Sequence, residues 1–199
     1  MQITSEDVKK LRDKTGVGIM DCKNALAETG GDFNKAVELL RKKGIEVANK
    51  RSGRTASQGT INSYIHMGGK IGVLVEVNCE SDFVAKSENF LDTVKDISMH
   101  IAAASPEWVT RDDVPSDILD KEKEILKEQA LKSGKPEKII DKIIEGKIGK
   151  FFAERCLMEQ SFVKDTDQTI TQIMDQLMGK TGEKCVIKRF ARYQLGEDN

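Results

Sequence analysis

Little in this chain is suited to covalent chemistry or to cross-linking. Of 199 residues only two are histidine, four cysteine and three proline, and aromatics make up 5%. The cysteines, Cys22, Cys79, Cys156 and Cys185, stand far apart, with no Cys-x-x-Cys pair and no His cluster beside them, so the usual zinc spacings are excluded and no metal site is expected. No apolar run is long enough to cross a bilayer, and the opening MQITSEDVKK has neither a signal-peptide core nor an Arg-rich transit pattern. A cytoplasmic protein with reduced thiols and no membrane contact is expected. Excess charge of one sign is missing too: 32 Lys and Arg against 33 Asp and Glu leave a net −1, which argues against direct nucleic-acid binding. Phosphate-cradling glycine loops are absent, so no nucleotide cofactor, and no cofactor of any kind, is expected.

What is present is helix punctuation and two kinds of apolar periodicity. Thr4 can cap a helix with Asp7 at its third position, and Ile3 and Val8 can staple the entry. That helix is predicted to stop near Gly16, a second to cover IMDCKNALAE up to Gly30-Gly31, and a third to start after Asp32 and end at Gly44. Residues 46–58 turn small and basic and read as a linker. GTINSYIHM and KIGVLVEVN then alternate about Gly68-Gly69, the pattern of a β-hairpin, with Ile61, Ser63 and Ile65 on one arm and Val73, Val75 and Val77 on the other.

From Phe90 the period becomes helical, with Leu91, Val94, Ile97, Ile101 and Ala102 on one face. Residues 117–150 read as a helical hairpin whose seam includes Ile118, Leu119, Ile125, Leu126, Ala130, Ile139, Ile140, Ile143, Ile144, Ile148 and Phe151, with Gly134 at the exit of one helix and Pro136 at the entry of the next. TITQIMDQLMGK reads as a last helix, and EKCVIKRFARYQL as a terminal strand joining the hairpin in one antiparallel sheet. The fold class is therefore α+β.

A catalytic reading fails on order. Ser161-x-x-Lys164, Ser87-Glu88-Asn89 and Lys180-Thr181-Gly182 match the local signatures of serine β-lactamases, but the Ser-x-Asn element precedes the nucleophile motif and the Lys-Thr-Gly follows it too closely. Ser161 reads as a loop residue, and His66 and His100 as surface or interface groups without a paired nucleophile. Cys79, next to Glu80 and Asp82, reads as a small buried hydrophobe whose pKa those charges raise. No catalytic residue is expected.

The segment 11–44, with Leu11-Arg12, Thr15-Gly16, Met20-Asp21-Cys22-Lys23 and Ala25-Leu26, closely resembles the N-terminal domain of the bacterial translation elongation factor Ts family. VEVNCESDFVA, MHIAAASPEWV, KSGKP and EGKIGKF extend the resemblance over nearly the whole chain, with Ser81 where the family often has Thr. It implies an N-terminal three-helix bundle of the ubiquitin-associated type (residues 1–45), the linker 46–58, and an α+β core (59–199) of antiparallel sheet and packed helices from which the hairpin 117–150 protrudes. Longer members have two similar core halves. This chain has one hairpin, so it resembles a short form, and a homodimer is expected in which a second chain supplies the missing half at the sheet and terminal strand.

The resemblance also implies a role: a non-enzymatic guanine-nucleotide exchange factor binding elongation factor Tu in its GDP-bound and nucleotide-free forms. Carried over residue by residue, it assigns Ser81, Asp82, Phe83 and Val84 to the segment that dislodges the partner's Mg²⁺, and Leu11, Arg12, Met20 and Lys23 to the face of the bundle towards the partner. Helix capping by Ser81 or Asp82 is a compatible structural role. The competing reading is a non-catalytic dimeric scaffold whose bundle recognises another protein.

Overall fold

The computed structural model describes residues 3–51, 53–132 and 137–197. The chain divides into two compact units, Met1–Met99 with Thr171–Asn199, and His100–Ile170, each described by itself below.

Local rules build the first three helices. In α1 (Ser5–Thr15) the Thr4 hydroxyl accepts from the Asp7 N–H at 3.2 Å and the Asp7 carboxylate accepts from the Thr4 N–H at 3.0 Å, a reciprocal cap that satisfies two orphan donors. Gly16 closes the helix in the left-handed region. After α2 (Ile19–Glu28), the Asp32 carboxylate accepts from the Lys35 N–H at 3.0 Å and opens α3 (Phe33–Arg51). The three helices bury Val8, Leu11, Cys22, Ala25, Leu26, Ala36 and Leu40 together, and Ile3, Val17 and Phe33 pack against that core.

Strands β1 (Gln58–Ile65) and β2 (Ile71–Cys79) pair antiparallel, joined by a turn with Gly68 and Gly69 at φ 87° and 69°, a conformation that a side chain disfavours. Val73, Val75 and Val77 are buried. Their register partners on β1 are Tyr64, Asn62 and Thr60, and the Asn62 amide donates to Ser98 Oγ at 2.8 Å. The β1 residues Ile61, Ser63 and Ile65 therefore lie on the opposite face of the sheet from Val73, Val75 and Val77. A one-turn helix, α4 (Asp82–Ala85), follows β2, then α5 (Glu88–Ala104). The buried stripe of α5 starts at Phe90, not Leu91: Phe90, Val94, Ile97 and Ile101 are spaced four, three and four apart, while Leu91 is exposed.

In the second unit, α6 (Ser116–Lys132) and α7 (Glu137–Arg155) form the expected helical hairpin, anchored by a cluster of Val114, Leu126, Ile148, Phe151, Phe152 and Cys156 against which Trp108, Ile118, Leu119 and Ile144 pack. Ile125 and Ile139 are exposed and lie outside this seam, because each sits about 100° round its helix from a buried neighbour, Leu126 or Ile140. The turn residues Gly134 and Pro136 lie outside the described residues.

Two short strands, β3 (Ser161–Phe162) and β4 (Asp165–Thr169), pair antiparallel, so Ser161 begins a strand and not a loop. His100 is fully buried within the chain, contrary to the surface or interface placement expected for it. Its Nδ1 accepts from the Val163 N–H at 3.3 Å and its Nε2 meets Gln160 Oε1 at 3.0 Å, so the buried ring is satisfied on both nitrogens, and burial holds its pKa below the usual value.

Helix α8 (Ile170–Thr181) and β5 (Cys185–Gln194) return to the first unit. Strand β5 pairs antiparallel with β2, giving the order β1-β2-β5. Helix α8 also explains why α3 does not stop at Gly44 but continues to Arg51, into the segment read as a linker. A Cβ on Gly44 would lie 3.2 Å from the Asp175 carbonyl oxygen, and one on Gly179 would lie 3.0 Å from the Gly44 Cα. Interior glycine weakens a helix by about 1 kcal/mol relative to alanine. Here it permits two backbones to touch.

Candidate partner-binding site

The sheet ends at Cys79, and the next residues turn sharply into α4. Ser81 is extended (φ −122°, ψ 155°) and its hydroxyl accepts from the Val84 N–H at 3.3 Å, so Ser81 and not Asp82 caps the turn. One turn of helix then sorts three adjacent side chains. Val84 points inward and is buried, whereas Phe83 is 82% exposed and Asp82 faces solvent. The Asp82 carboxylate accepts from Lys86 Nζ at 2.8 Å, and this bond holds its pKa below the ordinary carboxylate value. The result is a rigid knuckle carrying an aromatic ring beside an acid.

Two more carboxylates brace the knuckle from behind. Glu183, in the loop between α8 and β5, accepts from the Ser81 N–H at 3.0 Å and from the Ser81 hydroxyl at 2.6 Å. Glu80 accepts from the Lys184 N–H at 2.6 Å, from Arg54 at 3.0 Å and from Arg51 at 3.2 Å, and its pKa falls to about 2, chiefly through the Lys184 backbone bond. Sequence reasoning missed both residues as functional candidates: Glu183 comes from 102 positions away, and nothing in its local pattern points to Ser81.

Thiol chemistry has no place here. All four cysteines are buried and free. Burial first, then the charge of Glu183, raises the Cys79 pKa, and burial pushes Cys185 up to about 12 and Cys156 up to about 11. Among the described residues no group of three or more His, Cys, Asp or Glu could hold a metal ion.

The N-terminal candidates separate by burial. Leu11 is fully enclosed in the bundle core, between Val8 and the α2 residues Cys22, Ala25 and Leu26, so its side chain is not available to a partner. This corrects its assignment to the contact face. Arg12, Met20 and Lys23 are exposed, and beside Met20, at 64% exposure, stands Ile19, another exposed apolar residue. Helical spacing alone groups Ile19 with Cys22 and Leu26 and conceals it. Val84 belongs with Leu11: it is buried and anchors its element.

Comparison with known proteins establishes the family. A family model described as "Elongation factor TS" matches residues 9–197. The chain belongs to the elongation factor Ts family. It is 59% identical to elongation factor Ts of Syntrophus aciditrophicus (strain SB) over 198 residues, covering 100% of this chain and 98% of that protein. Elongation factor Ts of Geobacter sulfurreducens is 58% identical over 197 residues (99% and 91%), and that of Moorella thermoacetica 55% over 195 residues (98% and 96%). The chain is thus a translation elongation factor by family. The Ser81–Val84 turn and the exposed ends of α1 and α2 are features of a chain aligned over nearly its full length with these relatives.

Proposed function

We propose that this protein is a cytoplasmic guanine-nucleotide exchange factor for elongation factor Tu, acting through binding energy and not through a chemical step of its own. The observation that carries the proposal is Phe83: a large ring left 82% exposed on a braced turn, next to Asp82, in a chain of this family. Soluble proteins scatter single apolar residues over their surfaces, but a rigidly presented aromatic ring is a preferred anchor for a partner's pocket.

A GTPase holds GDP through backbone amides, a P-loop lysine and a Mg²⁺ bridging protein to phosphate. Disturbing the metal's coordination leaves phosphate charge poorly compensated and loosens the nucleotide. The factor must bind the emptied GTPase more tightly than the loaded one, and the nucleotide weakens the factor by the same ratio. Burying the Phe83 ring in the partner contributes about 1.5 to 3 kcal/mol, comparable with a coupling of about 1 to 3 kcal/mol. Asp82, already ionised, is placed to perturb groups near the metal. Arg12, Met20 and Lys23 provide the second contact, with Leu11 holding α1 in place behind them.

Homodimerisation through the sheet is part of the proposal. Ile61, Ile65, Leu74 and Tyr193 are exposed on one sheet face, with Ile65, Gly72 and Tyr193 in one cross-strand row and Ser63, Leu74 and Ala191 in the next. The row of Ile61 continues through the Glu76–Arg189 ion pair, and an uncovered sheet face whose apolar residues are flanked by such a pair is an association surface. The deciding experiment adds the protein to elongation factor Tu loaded with fluorescent GDP: accelerated release supports exchange, and unchanged release favours the scaffold reading.

A further inference from the structure

We propose that Glu183 is a positioning residue for exchange: its carboxylate, bonded to both the backbone N–H and the hydroxyl of Ser81, fixes the cap of α4 and thereby the direction in which Phe83 projects. The inference rests on the exchange reading and deepens it.

The helix concerned is only four residues long, Asp82–Ala85, far below the length at which a helix holds itself together in water. Its one buried side chain is Val84. What fixes its orientation is therefore the cap and the cap's own supports. Ser81 Oγ does two things at once: it accepts from the Val84 N–H at 3.3 Å and donates to Glu183 at 2.6 Å. The second Glu183 oxygen takes the Ser81 N–H at 3.0 Å. Both donors thus end on one carboxylate carried by the loop before β5, the central strand's partner.

The preceding residue is tied to the same loop. Glu80 accepts from the Lys184 N–H, and Lys184 Nζ donates to the Arg54 carbonyl at 2.8 Å while Arg54 donates to Glu80. Arg51, the last residue of α3, also donates to Glu80. Glu80 and Glu183 therefore bracket Ser81 and join the knuckle to β5 and to the end of the bundle's third helix. Charge-assisted bonds of this kind are about twice as strong as neutral ones and are directional. The ring is presented pre-oriented, so little ordering remains to be done when it enters a partner.

The test separates docking from opening. The rate of fluorescent GDP release from elongation factor Tu is measured against factor concentration for the intact protein, Glu183→Gln, Phe83→Ala and the double variant. A Gln at 183 can accept from only one of the two Ser81 donors, so the hydroxyl bond must reverse, with the amide N–H₂ donating to Ser81 Oγ, and both contacts lose the carboxylate charge that made them strong. The expected result is a maximal rate lowered about tenfold with a half-saturating concentration changed by less than about threefold, and a loss that shrinks to less than about twofold in the Phe83→Ala background.

A loss of equal size in both backgrounds would show a general structural role and overturn the proposal, as would an intact-like rate for Glu183→Gln alongside a slowed Phe83→Ala. No acceleration by the intact protein would overturn the exchange reading instead, so the two failures are distinguishable. Should Glu183→Gln not fold by circular dichroism, Ser81→Ala is compared with Ser81→Thr. Loss in the first and recovery in the second support the proposal, because only the hydroxyl differs in kind. An intact-like rate for Ser81→Ala contradicts it.

Discussion

At the residue scale, neighbours in sequence do opposite work. Phe83 is exposed and Val84 buried, Arg12 is exposed and Leu11 enclosed. Replacing Phe83 by Ala removes almost nothing from the folded state of the free protein, so its unfolding free energy should stay within about 0.5 kcal/mol of the parent's in a urea titration. Glu80 behaves differently. Its folded pKa, about 2 against an ordinary 4.5, is depressed, so its contribution to stability is complete above about pH 4.5 and is lost as pH falls towards 2. Urea midpoints measured at pH 5 and pH 3 should therefore fall more steeply for the parent than for Glu80→Gln, which has no proton to gain. Equal slopes would mean that the bonds from Lys184, Arg54 and Arg51 do not persist in solution.

At the scale of elements, two glycines set the contact between α3 and α8. Gly179→Leu would drive a side chain into the α3 backbone, where even a Cβ already lies 3.0 Å from the Gly44 Cα. Overpacking of this sort costs about 1 to 3 kcal/mol, which should lower the thermal midpoint by several degrees in calorimetry. The same contact marks where the sequence stops being legible. The caps at Thr4 and Gly16, the limits of α2, the β-hairpin and the terminal strand follow from local chemistry and can be read directly. An interior glycine, by contrast, looks like a stop until its packing partner is known.

The site divides in the same way. That residues 81–84 form a strand-to-helix junction is legible from the polar cap and the change of period. Which of its side chains turns outward depends on the setting of a single helical turn, fixed by Glu183 from a distant loop. Leu11 reads as part of a motif for either of two reasons, packing or contact, and only its burial separates them.

At the scale of the molecule, β1 and β5 are the two edges of a three-stranded sheet, and one face of that sheet carries Ile61, Ile65, Leu74 and Tyr193 uncovered. Pairing of two chains through this surface would cover it. Light scattering should give a mass near twice 22.2 kDa for the parent and near 22.2 kDa for Leu74→Glu, since a charge placed at the centre of the face would be buried unpaired in the dimer. A parent mass of one chain would contradict the proposed dimer and leave the proposed exchange site, in the turn that follows β2, unaffected.

The central claim is that a braced, exposed ring opens another protein's nucleotide site. The most direct measurement is the maximal rate of fluorescent GDP release from elongation factor Tu with the parent and with Phe83→Ala at saturating concentration. A reduction of about ten- to a hundredfold, the equivalent of losing a buried Phe side chain, is the predicted result. Equal rates for the two proteins would contradict it.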